Sequence, residues 1–117
     1  MCADFVNYHT FEKRQAIANR IRQVYPDRIA VIVDRLNTNT PAISKFKYLV
    51  SRHSSFDSFS NSIREYITSI NSQQALFFFV NGTTLISNDT LLSTIYDKYK
   101  ADDNFLYVTY AIENTYG

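Results

Sequence analysis

The chain has few of the residues that build cross-linked or flexible proteins. Its 117 residues include one cysteine, two glycines and two prolines. A single cysteine excludes an internal disulfide framework and fits a reducing compartment, and so little glycine and proline leaves no room for a flexible linker. The sequence also lacks an apolar run of transmembrane length and an apolar signal segment, and Cys2 stands where N-myristoylation needs a glycine.

An excess of charge of either sign is also missing. The formal net charge is +1, which argues against a nucleic-acid partner held by bulk charge. In contrast, hydrophobic residues make up 45% and aromatic residues 15% of the chain, as is typical of a globular protein. A chain of this length buries about two thirds of its unfolded surface. We predict a single domain spanning residues 1–117.

Residues with the spacing of a catalytic or metal site are absent as well. His9 and His53 lack ligand spacing with each other and with Cys2. No motif places a base beside Cys2 to make it a nucleophile. Paired carboxylates, a triad spacing and a phosphate-binding loop do not stand out either. The sequence therefore predicts no enzyme, no metal site and no cofactor.

The N-terminal part of the chain has helical periodicity. A short helix is predicted around Ala3–Tyr8. Thr10 has the character of an N-cap, and apolar residues at helical spacing follow it over about residues 11–24. Pro26 ends this second helix because the residue before a proline disfavours the α region. We expect an amphipathic helix with a basic outer side.

Two later helices follow serine-rich or asparagine-rich segments. The third is predicted to begin at Ser54 or Ser55 and the fourth at Ser87 or Asn88, since these residues are good N-caps. Their predicted buried stripes are Phe56, Phe59, Ile63, Tyr66, Ile67 and Ile70 in the third helix, and Leu91, Leu92, Ile95, Tyr96 and Tyr99 in the fourth.

Four segments are predicted strands. Ile29–Val33 is uninterrupted and β-branched, which is typical of a strand covered on both faces. Asn81-Gly82 is a strong turn signal, and residues 83–86 form a further short extended piece after it. A polar loop at 36–44 and an acidic loop at 101–104 separate other elements. The remaining strands are Lys45–Val50, Leu76–Val80 and Phe105–Ala111.

The order of these elements predicts an α+β fold. A strand pair, a crossing helix and a returning last strand favour a mixed sheet in which the first and last strands are central and parallel. The middle helices cover one face, and the N-terminal helix covers the other. We predict a ubiquitin-like roll, with a four-stranded mixed sheet, an N-terminal helical extension over residues 1–26 and a C-terminal tail over residues 112–117.

Both faces of the predicted Lys45–Val50 strand are expected to carry functional side chains. Side chains alternate along a strand, so Lys45, Lys47 and Leu49 are expected to point one way, and Phe46, Tyr48 and Val50 the other. The lysines are typical of an exposed sheet edge, where they discourage pairing between molecules.

Several motifs together resemble a known family. Tyr25-Pro26-Asp27-Arg28 is the most distinctive of them, and the others are Phe11-Glu12-Lys13-Arg14, Ile21-Arg22, Val31-Ile32-Val33, Lys47-Tyr48-Leu49-Val50, Ala75 to Asn81, Phe105-Leu106-Tyr107 and Glu113-x-x-Tyr116-Gly117. Each is weak alone. Jointly, over about residues 8–117, they resemble the autophagy ubiquitin-like modifiers of the GABA-receptor-associated-protein and microtubule light-chain-three type.

The resemblance implies a function that composition does not show. It implies conjugation through Gly117 to phosphatidylethanolamine on autophagosomal membranes, and a receptor for cargo-adaptor peptides. The implied partners are autophagy receptor and adaptor peptides, the activating and conjugating enzymes of the pathway, its processing protease and phosphatidylethanolamine membranes. The implied location is the cytoplasm, with the autophagosome membrane for the lipidated form.

Placed on such a fold, the strand alternation predicts a peptide-binding edge. An extended peptide would add to the Lys45–Val50 strand, and its residues three apart would fill one pocket on each face. This agrees with the aromatic-x-x-aliphatic motif of the family's ligands. The first pocket and its flanking charges are predicted at Ile17, Ile21, Arg28, Ala30, Lys45, Lys47, Leu49 and Phe105. The second is predicted at Tyr48, Val50, Phe59 and Ile63.

Other interpretations stay open at this point. Ile21, Leu49 and Phe105 could equally belong to an ordinary hydrophobic core. Lys45 and Lys47 could serve only to protect the sheet edge from pairing with other molecules. The family pattern is broken at Ile17, Ala30, Phe46, Ser51, Ser54, Ser62 and Tyr66, so the first pocket has better support than the second. The alternative function is a ubiquitin-like peptide-binding module that is never conjugated.

Overall fold

The computed structural model of the chain describes residues 3–71, 73–81 and 84–112. Four helices and five strands lie in this part of the chain. The helices are α1 (Ala3–Tyr8), α2 (Phe11–Val24), α3 (Phe56–Arg64) and α4 (Leu92–Tyr99), and the strands are β1 (Arg28–Arg35), β2 (Lys47–Ser51), β3 (Leu76–Val80), β4 (Thr84–Leu85) and β5 (Leu106–Ile112). The predicted elements and their order are confirmed. No helix in these residues is long and apolar enough to cross a membrane.

The strands form one mixed sheet in the order β2-β1-β5-β3-β4. β1 and β5 are central and parallel, as predicted, while β2 and β3 flank them in antiparallel pairs. The sheet has five strands instead of the predicted four because Thr84 and Leu85 pair with the end of β3. Asn81, just before this pair, has a φ of 55°, the left-handed conformation that asparagine tolerates in a turn.

Apolar residues cover both faces of the sheet, and β1 shows this best. Its odd-numbered residues, such as Val31, lie in the main core under α3 and α4. Ala30 and Ile32 lie in a second cluster beneath α1 and α2, with Phe5, Ala18 and Phe105. The unbroken apolar run of β1 is thereby explained: side chains on either face are buried, as the sequence predicted.

Two of the helix caps are those expected. The Thr10 hydroxyl accepts a hydrogen bond from the amide of Lys13 at 3.1 Å, at the start of α2. The Ser55 hydroxyl accepts one from the amide of Ser58 at 3.3 Å, at the start of α3. Each satisfies one of the amides that a helix N-terminus leaves without an internal partner.

The cap predicted for α4 was wrong. Leu91 occupies the N-cap position and makes no side-chain cap bond. The first amides of α4 are satisfied by the chain before α3 instead: Leu92 donates to the Ser54 carbonyl at 2.9 Å and Ser93 to the Arg52 carbonyl at 3.0 Å. A cap supplied by distant backbone leaves no local sequence signal, so the good N-cap types at 87 and 88 were misleading.

The third helix is shorter than its apolar stripe predicted. It ends at Arg64, so Tyr66, Ile67 and Ile70 lie outside it. The chain after the helix pairs with the 36–44 loop, because Thr68 donates to the Ala42 carbonyl at 3.0 Å and Ile67 forms a bridge with Ile43. These apolar residues still pack against the main core, which explains why they fitted the stripe.

Candidate functional site

β2 is an outer strand of the sheet, so one of its edges is unpaired among the described residues. Its ladder with β1 fixes which backbone groups this edge offers. Val33 donates to the Phe46 carbonyl at 2.8 Å, and Arg52 donates to the Asp27 carbonyl at 2.9 Å. Hydrogen-bonded and non-hydrogen-bonded pairs alternate along an antiparallel ladder. The hydrogen-bonded pairs are therefore the even-numbered positions of β2.

The odd-numbered positions of β2 consequently point their backbone groups away from β1. Lys47 and Leu49 lie opposite Ile32 and Ala30 in non-hydrogen-bonded pairs. Their amides and carbonyls face the free edge. An extended chain placed beside β2 would meet a donor and an acceptor at each of these two residues.

The first predicted pocket lies on the sheet face that α2 covers. Leu49 is 41% exposed at the edge. Behind it, Ala30 and Phe105 are buried in the second cluster, and Ile17 and Ile21 of α2 are half-buried against that cluster. The structure thus brings the five predicted apolar residues of this pocket to one face. Phe105 is fully buried, so it forms the base, and Leu49 with the two isoleucines presents the accessible surface.

Basic side chains border this face. Lys47 and Arg28 are exposed on neighbouring strands. A cavity of about 300 Å³ lies where α2, β1 and α4 meet, and its lining includes Arg28 together with Arg22 and Arg52. Asp97 is the one acidic side chain in that lining. The surroundings of the first pocket therefore favour acidic groups on a ligand.

The second predicted pocket is mostly main core. Tyr48, Phe59 and Ile63 are buried, and the Tyr48 and Phe59 rings pack edge to face with centroids 5.4 Å apart. Burial raises the pKa of the Tyr48 hydroxyl, which donates to the Lys45 carbonyl at 2.6 Å. Val50 is half-buried and is the one member of the predicted set with accessible surface on this face.

The positions predicted for Lys45 and Phe46 were wrong. The Lys45 ammonium lies 5.1 Å from the centre of the Tyr48 ring and 5.3 Å from that of Tyr66, on the face opposite to Lys47. Phe46 lies instead near Phe5 of α1, with ring centroids 6.3 Å apart. The strand begins at Lys47, so the alternation of a strand does not extend to the two residues before it.

The serines that interrupt the family pattern differ in their exposure. Ser51 and Ser54 are half-buried, whereas Ser62 is exposed on α3 and donates to the Ser58 carbonyl at 3.0 Å. Tyr66 is half-buried, with its ring 6.1 Å from that of Tyr48. Of these residues, Tyr66 packs against the main core on the same face of the sheet as Val50, beside the ring of Tyr48.

One pair of supporting residues was missed by the sequence. Arg14 of α2 and Asp103, before β5, form an ion pair with 2.9 Å between Nε and Oδ2. The Asp103 carboxylate also accepts from the amide of Phe105 at 3.0 Å. The hydrogen bond to Asp103 raises the pKa of the Arg14 guanidinium. The pair fixes α2 to the start of β5, and so holds Ile17 and Ile21 over Phe105. Because the two residues are 89 positions apart, no local pattern indicates that they meet.

The conjugation tail predicted at the C-terminus lies mostly outside the described residues. Ile112 is the last residue of β5, whereas Gly117 is not among the residues described.

Comparison with known proteins places this geometry in a family. Residues 13–117 match the family model described as "Autophagy protein Atg8 ubiquitin like". The chain belongs to the Atg8 family. It is 41% identical over 116 residues to autophagy-related protein 8 of Dictyostelium discoideum, covering 98% of this chain and 94% of that protein. It is 45% identical over 118 residues to autophagy-related protein 8 of Mycosarcoma maydis, covering 100% and 98%.

A solved Atg8 structure agrees with the fold. The crystal structure of Trypanosoma brucei ATG8 superposes on this chain with a TM-score of 0.87, at 30% identity, and each chain is covered completely. This confirms the predicted ubiquitin-like fold with its N-terminal helical segment. The resemblance predicted from the motifs is likewise confirmed.

Proposed function

We propose that this Atg8-family protein is a modifier conjugated through Gly117 to phosphatidylethanolamine, and that its β2 edge binds extended adaptor peptides of the aromatic-x-x-aliphatic type. The observation that carries the peptide-binding part is the outer edge of β2, where the backbone groups of Lys47 and Leu49 have no strand partner among the described residues and lie beside an exposed apolar side chain. An added strand satisfies those backbone groups, and its side chains supply specificity.

The two faces of β2 supply the two side-chain contacts of the motif. Residues three apart on an extended peptide point to opposite faces. The aromatic residue would pack on Leu49 and on Ile17 and Ile21 of α2, above the buried base that Phe105 forms. The aliphatic residue would pack on the half-buried Val50. The first contact is larger and more apolar than the second, so the aromatic residue is the main anchor.

The charges around the edge favour acidic residues flanking the motif. Lys47 and Arg28 are exposed and have room to meet carboxylates. The Lys45 ammonium lies on two tyrosine rings, which hold it on the Val50 side of the strand. Such exposed charges act mainly on the association rate and on salt dependence.

Conjugation would place this receptor on a membrane. In a ubiquitin-like route the terminal carboxylate is adenylated, transferred to a cysteine thiol and then attacked by an amine. Each step places the chain end in a narrow site. A terminal glycine suits such sites because it has no Cβ. Activating and conjugating enzymes would carry out these steps. A processing protease would first expose the glycine where the tail is longer. Two acyl chains then give stable anchoring, at about 0.8 kcal/mol per buried CH₂. The soluble form would be cytoplasmic and the lipidated form would lie on autophagosomal membranes.

The peptide site is tested by truncating its exposed apolar residue. We expect Leu49→Ala to weaken an aromatic-x-x-aliphatic peptide by about 2 kcal/mol, or about thirtyfold, because it removes an anchor contact from a strand edge without opening the core. Isothermal calorimetry measures this. Leu85→Ala is the matched control, since Leu85 is 60% exposed on β4, the opposite edge of the sheet. Equal affinities for the two variants would remove Leu49 from the site.

Conjugation is tested separately from peptide binding. Deletion of Gly117 should abolish the lipid adduct in a reconstituted reaction with Atg8-conjugating enzymes and phosphatidylethanolamine liposomes, and Gly117→Ala should greatly reduce it, while both keep wild-type peptide affinity. Mass spectrometry of the adduct gives the result. A deletion variant that is lipidated like the wild type would leave the peptide-binding module, without conjugation, as the better account.

A further inference from the structure

The cavity of about 300 Å³ between α2, β1 and α4 is lined by three arginines. Arg22 lies in the last turn of α2, Arg28 is the first residue of β1, and Arg52 directly follows β2. Asp97 is the one acidic side chain in the lining, so positive charge is in excess by two. We call this site the triple-arginine cavity.

Backbone hydrogen bonds hold two of these arginines in place. The Arg28 amide donates to the Tyr25 carbonyl at 2.9 Å. The Arg52 amide donates to the Asp27 carbonyl at 2.9 Å, and the Arg52 carbonyl accepts from the Ser93 amide at 3.0 Å. The spacing of the two arginines is therefore set by the fold and does not have to be created when a ligand binds.

The guanidinium groups of the cavity have no carboxylate partner in the part of the chain that the structure describes. The one ion pair there joins Arg14 and Asp103. The arginine side chains that donate hydrogen bonds there are those of Arg14, Arg35 and Arg64. Two of the cavity's arginines are exposed and Arg52 is half-buried, so a ligand from solvent can reach all three.

Two of the cations lie close enough to act on one wall of the cavity. The Tyr96 hydroxyl lies on this wall and donates to the Asn104 carbonyl at 2.7 Å. Burial raises the pKa of Tyr96, the charges of Arg22 and Arg52 act against this shift, and that of Asp97 reinforces it. Like charges held near one another repel. A bound anion would relieve the repulsion between the arginines.

From these observations we propose that the triple-arginine cavity binds a phosphate monoester. Such a group carries close to two negative charges at neutral pH, which matches the excess of positive charge in the lining. Each guanidinium presents a planar fork of N–H donors that fits two phosphate oxygens at once. A small soluble phosphate and a phosphorylated lipid headgroup share this chemistry. The site goes beyond peptide binding at β2, although Arg28 borders both.

The test is an amide-resolved NMR titration of the whole protein without peptide, at constant ionic strength, with glycerol phosphate. We expect saturable shifts at the amides of Arg22, Arg28 and Arg52. Charge-assisted hydrogen bonds from two guanidinium groups predict a dissociation constant on the order of 1 mM. Dimethyl phosphate and acetate, which carry a single negative charge, should bind about tenfold more weakly because one such interaction is lost.

Substitution of an arginine separates the cavity from the overall charge of the protein. Arg52→Gln should weaken glycerol phosphate about tenfold, the factor that corresponds to one charge-assisted hydrogen bond. Arg20→Gln is the matched control, because Arg20 is exposed on α2 outside the lining and its loss changes the net charge equally. It should leave the affinity unchanged.

Removal of the acidic side chain should have the opposite effect. Asp97→Asn should tighten glycerol phosphate about threefold, the scale of one exposed charge interaction. Asp57→Asn, at an exposed position of α3 outside the lining, is its control and should not change the affinity. Equal effects of the lining and control variants in either pair would show that only overall charge matters, and would overturn the proposal.

Vesicles distinguish the two sources of the phosphate group. Sedimentation with phosphatidylcholine vesicles that contain phosphatidylinositol phosphate, but not with phosphatidylcholine alone, would assign a lipid headgroup if Arg52→Gln abolishes it. Binding of glycerol phosphate without sedimentation would assign a soluble phosphate. Leu49→Ala should keep the wild-type affinity for glycerol phosphate, so failure of the peptide site and failure of this site are distinguishable. Absence of saturable shifts at the three arginine amides would overturn the proposal.

Discussion

At the scale of single residues, the burial of Tyr110 makes the stability of the fold depend on pH. It is fully buried on β5, and its hydroxyl donates to the Pro41 carbonyl at 2.5 Å, which ties the 36–44 loop to the core. Burial, with a smaller contribution from the charge of Asp34, raises the pKa of Tyr110 to about 12. Burial likewise raises the pKa of Tyr48, Tyr96 and Tyr107, so all four groups act in the same direction.

These shifts predict a loss of stability in alkali. A pKa raised on folding gives stability that is complete below pH 10 and is lost as the pH rises from 10 to about 12. For Tyr110 alone a shift of this size corresponds to roughly 3 kcal/mol. Urea denaturation at pH 8, 10 and 11 should show Tyr110→Phe less stable than the wild type by about 1 kcal/mol at pH 8, because the bond to Pro41 is lost, but less sensitive to pH.

Tyr8→Phe is the control for that experiment, because Tyr8 is largely exposed. It should follow the wild-type dependence on pH. If Tyr110→Phe instead lost stability with pH in parallel with the wild type, the buried hydroxyl would not be the titrating group.

Single side chains also mark where sequence reasoning failed. Alternation placed Leu49 and Lys47 correctly, because both lie within β2. It failed for Lys45, which precedes the strand and is drawn to the rings of Tyr48 and Tyr66. The ion pair between Arg14 and Asp103 could not be predicted, since it depends on a contact between α2 and the loop before β5 that only the folded chain brings together.

At the scale of elements, patterns were most reliable where every local signal agreed. β1 was predictable because its five apolar residues have no helical spacing and no breaker. α2 was predictable because Thr10 begins it and Pro26 follows its end. α4 was placed correctly but capped wrongly, because the backbone of Ser54 and Arg52 replaces the side-chain cap.

The cap of α3 gives a prediction at this scale. Ser55→Ala removes the bond to the Ser58 amide and should lower the free energy of unfolding by about 1 kcal/mol in urea denaturation. Ser62→Ala is the control within the same helix, where an exposed serine bonded to a carbonyl one turn back is replaced by a better helix former. Its stability should be unchanged or slightly higher. Equal losses in both variants would contradict the role of Ser55 as a cap.

At the scale of the whole molecule, topology followed from element order. A strand pair, a crossing helix and a returning last strand, together with the uninterrupted apolar strands, were enough to place β1 beside β5 in parallel. The depth of the proposed peptide-binding face was not predictable, because the same pattern of apolar residues describes a pocket and a filled core. The structure divides them: Phe105, Tyr48, Phe59 and Ile63 are buried, and Leu49 is exposed.

The central claim is that a peptide joins the sheet as a strand beside β2. The most direct measurement is amide hydrogen exchange at single residues, with and without a saturating aromatic-x-x-aliphatic peptide. The ladder with β1 leaves the amides of Lys47 and Leu49 facing the free edge, so both should exchange much more slowly in the complex. The amide of Leu85, on the opposite edge, should not change. Unaltered exchange at Lys47 and Leu49 under saturating peptide would contradict the account.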